Sequence, residues 1–434
     1  MKNLIIITIV SLVVGGFIGA KVMELLGREY IMANLPVPKG TIDDKDVFFE
    51  SLPEAGTVPR KKLHPVNRKA KNVILLIGDG MSISQIASYR LLKGGPNERL
   101  AVDRFPVSGI VLTHSANAII TDSASSATAY STGSKTNNSY LGLDKDKNLL
   151  ENLTERIDRY GLVSALIATS EVTHATPAAF AAHVDLRWKT DEISRQMLAS
   201  NVSTILGGGR HFFLPERLGG EREDGRNLLE EIKESHALLT KKDQLNSFDK
   251  TDTRKVIGLF ADEHLRNEKE PENHSSEPTL KDMLRFALER SAMYMEKGCR
   301  GSFIMVEGSQ VDWAGHANNI NYLKTEMQDL DEAIQLALEH AKENQDTLVI
   351  VTADHETGGL LIEPANPADY TGNKVKFSFN TAIGRGSHTG VPVPVYAYGP
   401  GSENFSGTLD NTDIYHGMVA AMDLNTEVGS CMDK

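Results

Sequence analysis

The stretch Asn72-Val73-Ile74-Leu75-Leu76-Ile77-Gly78-Asp79-Gly80 is a short, nearly unbroken apolar run that halts at an aspartate set between two glycines. A run of this length without polar alternation suits a strand covered on both faces, and such strands belong to parallel sheets flanked by helices. A helix-like segment, Ile83–Leu92, follows it. The alternation continues along the chain, with strand candidates at Leu162–Ala168, Ser203–Leu206, Val256–Phe260, Ser302–Val306, Thr347–Thr352 and Val391–Tyr398. Helical stretches lie between several of them, clearest at Leu280–Glu296 and Tyr322–Lys342. The expected fold is α/β, three layers with a mostly parallel central sheet. In such sheets ligands gather at the carboxyl ends of strands, so the residues just after each apolar run carry the functional question.

Those positions hold acids and imidazoles. Asp79 follows the first run, Glu307 follows Ser302–Val306, and Asp354-His355 follow Thr347–Thr352. Asp312 and His316 stand four apart just beyond Glu307, so one helical turn puts both on a single face. Each residue alone reads equally well as a turn or solvated loop group. As a set they point to a binuclear metal site, because imidazole with carboxylate suits zinc. A second feature is Thr121-Asp122-Ser123-Ala124-Ser125-Ser126-Ala127-Thr128-Ala129. A helix beginning at Ser123 sets its hydroxyl where free N–H groups favour a bound phosphate. A serine needs a base or a metal to become a nucleophile. Alone, the segment reads as well as a capped, close-packed Ala/Ser helix.

Composition bounds the rest. The 434 residues are 40% hydrophobic and 24% charged, as in an ordinary globular protein. Lys and Arg number 46 against 58 Asp and Glu, a net charge of −12, which argues against a general nucleic-acid binder. Met1-Lys2-Asn3 precedes an uncharged apolar stretch, Leu4–Ala20, closed by Lys21. It is long for a signal peptide and at the short edge of a membrane span, so it reads as an uncleaved anchor before a cleaved signal. Export to the periplasm or cell envelope is expected on either reading. Residues 1–26 are taken as the signal or anchor segment, 27–70 as a linker and first surface wrap, and 71–434 as the catalytic domain. Cys299 and Cys431 are far apart in sequence; a bridge and two free thiols both stay open.

Asp79 with its strand, Thr121–Ala129, His174–Arg187, Val306–His316, Thr352–His355 and His388-Thr389-Gly390 together resemble the alkaline phosphatase family of the bacterial type. The likeness runs from Asn72 to the C-terminus in the family's order. It implies hydrolysis of small phosphate monoesters through a phosphoserine at Ser123. By resemblance, Asp79, Asp354 and His355 bind the zinc that also contacts Ser123, and Asp312, His316 and His388 bind a second zinc. Glu307 and Thr176, with Asp79 bridging, hold a third ion, usually magnesium. Arg187 matches the phosphate-clamping arginine and Asp122 the acid that orients it. The implied cofactors are two Zn²⁺ and one Mg²⁺ per subunit, and the implied assembly is a homodimer. His174 stands where many members have Asp, and Trp313 where many have Lys or His. The first puts the third metal's identity in question, and the second removes a cation that would hold phosphate. The short interval between His355 and His388 implies a small crown insertion.

Other histidines have no convergent spacing. His183 reads as a core or supporting group; His64, His114, His211, His236, His264, His274, His340 and His416 read as surface or capping residues. The acidic stretch around Glu263–Glu277 reads as a solvated loop, and Gly207-Gly208-Gly209 as a turn. Rival readings are a phosphodiesterase of the same superfamily, which can dispense with Thr176, Glu307 and Arg187, and a non-catalytic metal-binding envelope protein. No Cys/Ser-x-Pro-x-Arg context surrounds Ser123, which excludes a sulfatase.

Overall fold

The first apolar run becomes strand β1 (Asn72–Gly78), buried along its whole length as an unbroken apolar sequence requires. The computed structural model describes residues 67–266, 276–365, 374–381 and 386–432. The signal or anchor segment, and the wrap up to residue 66, lie outside the described residues. Among the described residues no helix is long and apolar enough to cross a membrane.

After β1 come β2 (Val107–Leu112), β3 (Leu162–Glu171), β4 (Thr204–Gly208), β5 (His236–Leu239), β6 (Lys255–Leu259), β7 (Gly301–Gly308) and β8 (Thr347–Thr352). The remaining strands are β9 (Glu356–Thr357), β10 (Leu360–Pro364), β11 (Val375–Phe379), β12 (His388–Thr389), β13 (Val393–Tyr398) and β14 (Gly407–Asp410). Ten of them form one sheet in the order β14-β2-β13-β8-β1-β7-β3-β4-β6-β5. Every neighbour pair is parallel except those of β13, which runs against β2 and β8. With its flanking helices this is the expected α/β/α arrangement. The segment between His355 and His388 contains the antiparallel ribbon β10–β11 and is stitched at its base by β9–β12, where His388 faces Thr357.

Register places the site. Ile77 of β1 lies opposite Glu307 of β7 and Thr352 of β8, so Asp79, Glu307 and Asp354 emerge at one edge. Helices anchor this core: Thr279 caps Leu280–Glu296 by accepting from the Asp282 amide, and Asn319 caps Ile320–Glu343. The helix Ser123–Thr132 is buried on every side; its Ala, Ser and Thr side chains permit close approach of the Asn411–Ala421 helix.

One expectation needs correction, and one open alternative is resolved. Gly207 and Gly208 end strand β4 rather than form a turn; a Cβ on Gly208 would meet the Glu263 carbonyl oxygen at 2.0 Å. Cys299 and Cys431 are joined in a disulfide across 132 residues of sequence. The bridge sits with Val163, Met293 and Tyr294 in a small apolar cluster. Val163 is near the start of β3, so the bridge is at the sheet's amino edge, opposite the strand ends that carry the acids.

Candidate active site

Four adjacent strands, β8, β1, β7 and β3, deliver most of the candidate residues at their carboxyl ends. Asp79 and Gly80 follow β1, and the Gly80 amide donates to Asp354 Oδ1 at 3.1 Å. Gly80 is at φ +72°, and a Cβ there would lie 2.8 Å from the Asp312 Cα, so only glycine lets the chain turn this close. β7 carries Glu307 next to its last residue and leads into the helix Gln310–His316, which sets Asp312 and His316 on one face. β3 leads to His174 and Thr176, and β12 carries His388. All these residues except His174, His316 and His388 are buried.

The imidazoles share one arrangement. His316 Nδ1 meets the Gly386 carbonyl at 2.7 Å, His388 Nδ1 meets the Thr121 carbonyl at 3.0 Å, and His355 Nδ1 meets Thr357 Oγ1 at 3.2 Å. The two carbonyls can only accept, and the Thr357 hydroxyl spends its hydrogen on Asp312, so each Nδ1 carries the ring proton. Each Nε2 then turns its lone pair toward carboxylates. His316 Nε2 is 3.2 Å and His388 Nε2 3.6 Å from Asp312, while His355 Nε2 is 3.2 Å from Asp354 and 3.4 Å from Asp79. For neutral rings these are repulsive contacts that a cation between nitrogen and oxygen converts into ligation.

The acids tell the same story. Both oxygens of Asp79, Oδ2 of Asp354 and Oγ1 of Thr176 are buried without a hydrogen-bond partner. Burial, with the charges of Asp354, Asp312 and Glu307 adding to it, raises Asp79 well above the usual carboxylate range. Burial and the charge of Asp354 push Glu307 up to about 8, and burial and the charge of Asp312 push Asp354 up to about 6. Burial also works against Asp312, but the three imidazoles facing it, His316, His388 and His355, outweigh burial and hold that group low. Carboxyls that resist ionisation this strongly lack a counter-charge, and divalent cations are the fitting one. Three sets bring their donor atoms within 4.8 Å of one another: Asp79, Asp354 and His355; Asp312, His355 and His388; and Asp79, His174 and Glu307. The residue types and their spacing therefore fit a metal centre.

Ser123 is the first residue of its helix and is 2% exposed, and its Oγ lies 3.2 Å from His355 Nε2. Asp122 caps the same helix, accepting from the Ser125 amide at 3.0 Å, and its second oxygen accepts from the Ser139 amide at 3.0 Å and from Arg187 Nη1 at 3.3 Å. Arg187 is no surface partner of Asp185, which pairs with Lys147 and Lys189. It is buried, and its Nη2 lies 3.0 Å from His174 Nε2. Burial and the Arg187 charge hold His174 down at about 4, so the ring is neutral and accepts from the guanidinium. Asp122 thus ties an anion binder to the helix that begins at the nucleophile candidate.

Spacing gave no signal for His264. Its Nδ1 pairs with Glu171 at the end of β3, and its ring packs on Trp313 with centroids 4.1 Å apart. Trp313 in turn meets the His174 ring edge-on at 5.9 Å. His264 therefore belongs to the wall of the site, and of the acidic stretch only residues 267–275 lie outside the described residues. His183 is a structural group, bridging Glu155 Oε1 and the Gly142 carbonyl.

A model of the alkaline phosphatase family matches residues 70–373 and 362–424. Alkaline phosphatase 3 of Bacillus subtilis is 33% identical over 455 residues, covering 87% of this chain and 94% of that protein. The solved alkaline phosphatase of the Antarctic bacterium TAB5 is 35% identical with a TM-score of 0.73, covering 83% of this chain and 100% of that one. A variant of that enzyme with magnesium bound in its M3 site is 33% identical with a TM-score of 0.71, covering 83% and 99%.

Proposed function

The chain belongs to the alkaline phosphatase family and hydrolyses phosphate monoesters in a metal-dependent reaction, and we propose that it does so through a phosphoserine formed on Ser123. The observation that supports this reading most is the Ser123 hydroxyl 3.2 Å from His355 Nε2, a nitrogen that also faces Asp79 and Asp354. Asp79, Asp354 and His355, with Ser123 itself, would hold one zinc; Asp312, His316 and His388 would hold a second. Glu307 and Thr176, together with Asp79, would hold magnesium, and the grouping of His174 with Asp79 and Glu307 supports its standing beside that third site. When bound, these cations acidify a coordinated hydroxyl and neutralise charge on the phosphoryl group and leaving oxygen.

The chain's own groups do the positioning. The helix dipole and the free amides at the start of Ser123–Thr132 favour the dianion beside Ser123. Arg187 pairs with two phosphate oxygens in a fork that Lys lacks, while Asp122 and His174 hold its plane. Ser123 Oγ displaces the alcohol in line, and water then displaces phosphate from Ser123, regenerating the hydroxyl. We also read the protein as exported, which the disulfide supports, as anchored or processed through residues 4–20, and as a homodimer.

Purified, zinc- and magnesium-loaded protein should turn over p-nitrophenyl phosphate far faster than the corresponding diester; the reverse ranking refutes the monoester reading. Ser123→Ala should abolish the burst of alcohol release, and a burst of unchanged size removes Ser123 from its role. Elemental analysis should return two zinc and one magnesium per chain.

A further inference from the structure

We propose that Trp188 is a specificity-determining residue whose indole stacks the organic part of an aromatic phosphate monoester, so that aryl esters are taken ahead of small alkyl ones. The proposal rests on the reading of Ser123 and Arg187 as the phosphate site.

Arg187 and Trp188 are adjacent in one turn and meet opposite fates. The turn is fixed by the Arg187 amide, which donates to the Ser139 carbonyl at 2.9 Å, and by the Lys189 amide, which donates to the Leu186 carbonyl at 3.0 Å. Arg187 is 9% exposed, whereas Trp188 is 66% exposed. The guanidinium carbon still lies 5.1 Å from the indole centroid. Covering one face of Arg187 uses only part of the ring, and the rest of a large apolar surface is left in water beside the clamping guanidinium.

Beside the charged Asp185, Lys147 and Lys189, apolar side chains are exposed on the neighbouring segments as well. Leu186 is 40% exposed on the near side. On the side of Ser123 and His388, Ile119 and Ile120 are each 46% exposed and Val391 is 50% exposed. These two segments are joined, since His388 Nδ1 meets the Thr121 carbonyl at 3.0 Å and a Cβ on Gly390 would touch Ile119 and Ile120 at 3.7 and 3.9 Å. Five exposed apolar side chains thus lie within four residues in sequence of Ser123, Arg187 or His388, and Trp188 is the one in contact with the clamping guanidinium.

The geometry of displacement decides what meets this rim. Ser123 is buried, so the alcohol leaving opposite its hydroxyl points outward. A ring joined through one ester oxygen to a phosphate on Arg187 is within reach of an indole that close to the guanidinium. Offset or edge-to-face stacking rewards a planar π-system there, which an aliphatic polyol does not supply.

The test uses the metal-loaded full chain as wild type, Trp188→Ala and Trp188→Phe. The readings are kcat/KM for phenyl phosphate and glycerol 2-phosphate, and inhibition constants for phenylphosphonate, methylphosphonate and inorganic phosphate. Trp188→Ala should lower the phenyl-to-glycerol ratio of kcat/KM by about three- to tenfold and weaken phenylphosphonate by a similar factor. Methylphosphonate and phosphate should shift by less than about twofold, and Trp188→Phe should restore most of the ratio. An equal loss for both esters, with weaker phosphate binding, would make Trp188 a prop for Arg187 and overturn the proposal. So would an unaltered ratio. Failure of the wild type to hydrolyse either ester would overturn the underlying phosphatase reading, which the altered ratio cannot do.

Discussion

Stripping the metals should expose a buried carboxyl whose stability contribution falls as pH rises, and Glu307→Gln isolates the effect. Glu307 is 0% exposed and is pushed from its ordinary 4.5 up to about 8, by burial first and the charge of Asp354 next. In the metal-free chain near neutrality, the folded state keeps a proton on this carboxyl that the unfolded state has released. Unfolding therefore liberates a proton, and stability falls as pH rises between the two values. Over the full window the cost is about 5 kcal/mol, of which about 2 kcal/mol falls between about pH 6 and about pH 8. His174 and His355, both held low by burial, pull the other way as pH climbs through the ordinary histidine range, so the wild-type curve alone mixes two signs. Gln keeps the neutral state at every pH while leaving the histidines in place. The measurement is urea unfolding of chelator-treated wild type and Glu307→Gln at constant ionic strength. The variant should gain on the wild type by about 2 kcal/mol from about pH 6 to about pH 8. After loading with zinc and magnesium the order should reverse, since the variant then lacks a ligand charge. A gap that stays constant with pH in the metal-free pair would refute the burial of an unpaired carboxyl on which the metal-site argument stands.

Further outcomes follow from the same geometry. Arg187→Lys should keep the charge but lose the fork, raising the inhibition constant of inorganic phosphate by about ten- to a hundredfold in steady-state assays. Trp313→Lys should tighten product inhibition by phosphate, read as a lower phosphate inhibition constant with little change in phosphoserine formation measured by burst kinetics. The Cys299→Ser/Cys431→Ser double variant should lose about 2–5 kcal/mol of stability, because the bridge closes a long loop. Its activity at low temperature should persist, since the bridge lies at the amino edge of the sheet, and calorimetry beside a p-nitrophenyl phosphate assay reads both.

Burial pattern decided what could be read in advance. β1, β7 and β8 are buried on both faces, so their unbroken apolar runs mark them, and the acids that follow mark the site. β2 alternates in exposure and includes Ser108 and Gly109; β5 and β14 are four-residue edge strands, too short and mixed to stand out. His316 was legible because helical spacing ties it to Asp312. His264 was not, because its partners Glu171 and Trp313 lie far off in sequence on either side, and only folding makes them neighbours. The cysteine pair was hidden in the same way, by 132 residues of intervening chain.

The small ladder between β9 and β12 works as a buckle. The chain leaves the sheet at Thr357, wanders through the β10–β11 ribbon, and returns to be fastened at His388 opposite the point of departure. The returning strand also secures His316 through Gly386. Because both ends of the excursion are clipped together beside two imidazoles, its length and composition are decoupled from the position of those rings. Evolution can lengthen, trim or rewrite that ornament while the chemistry beneath it keeps its spacing.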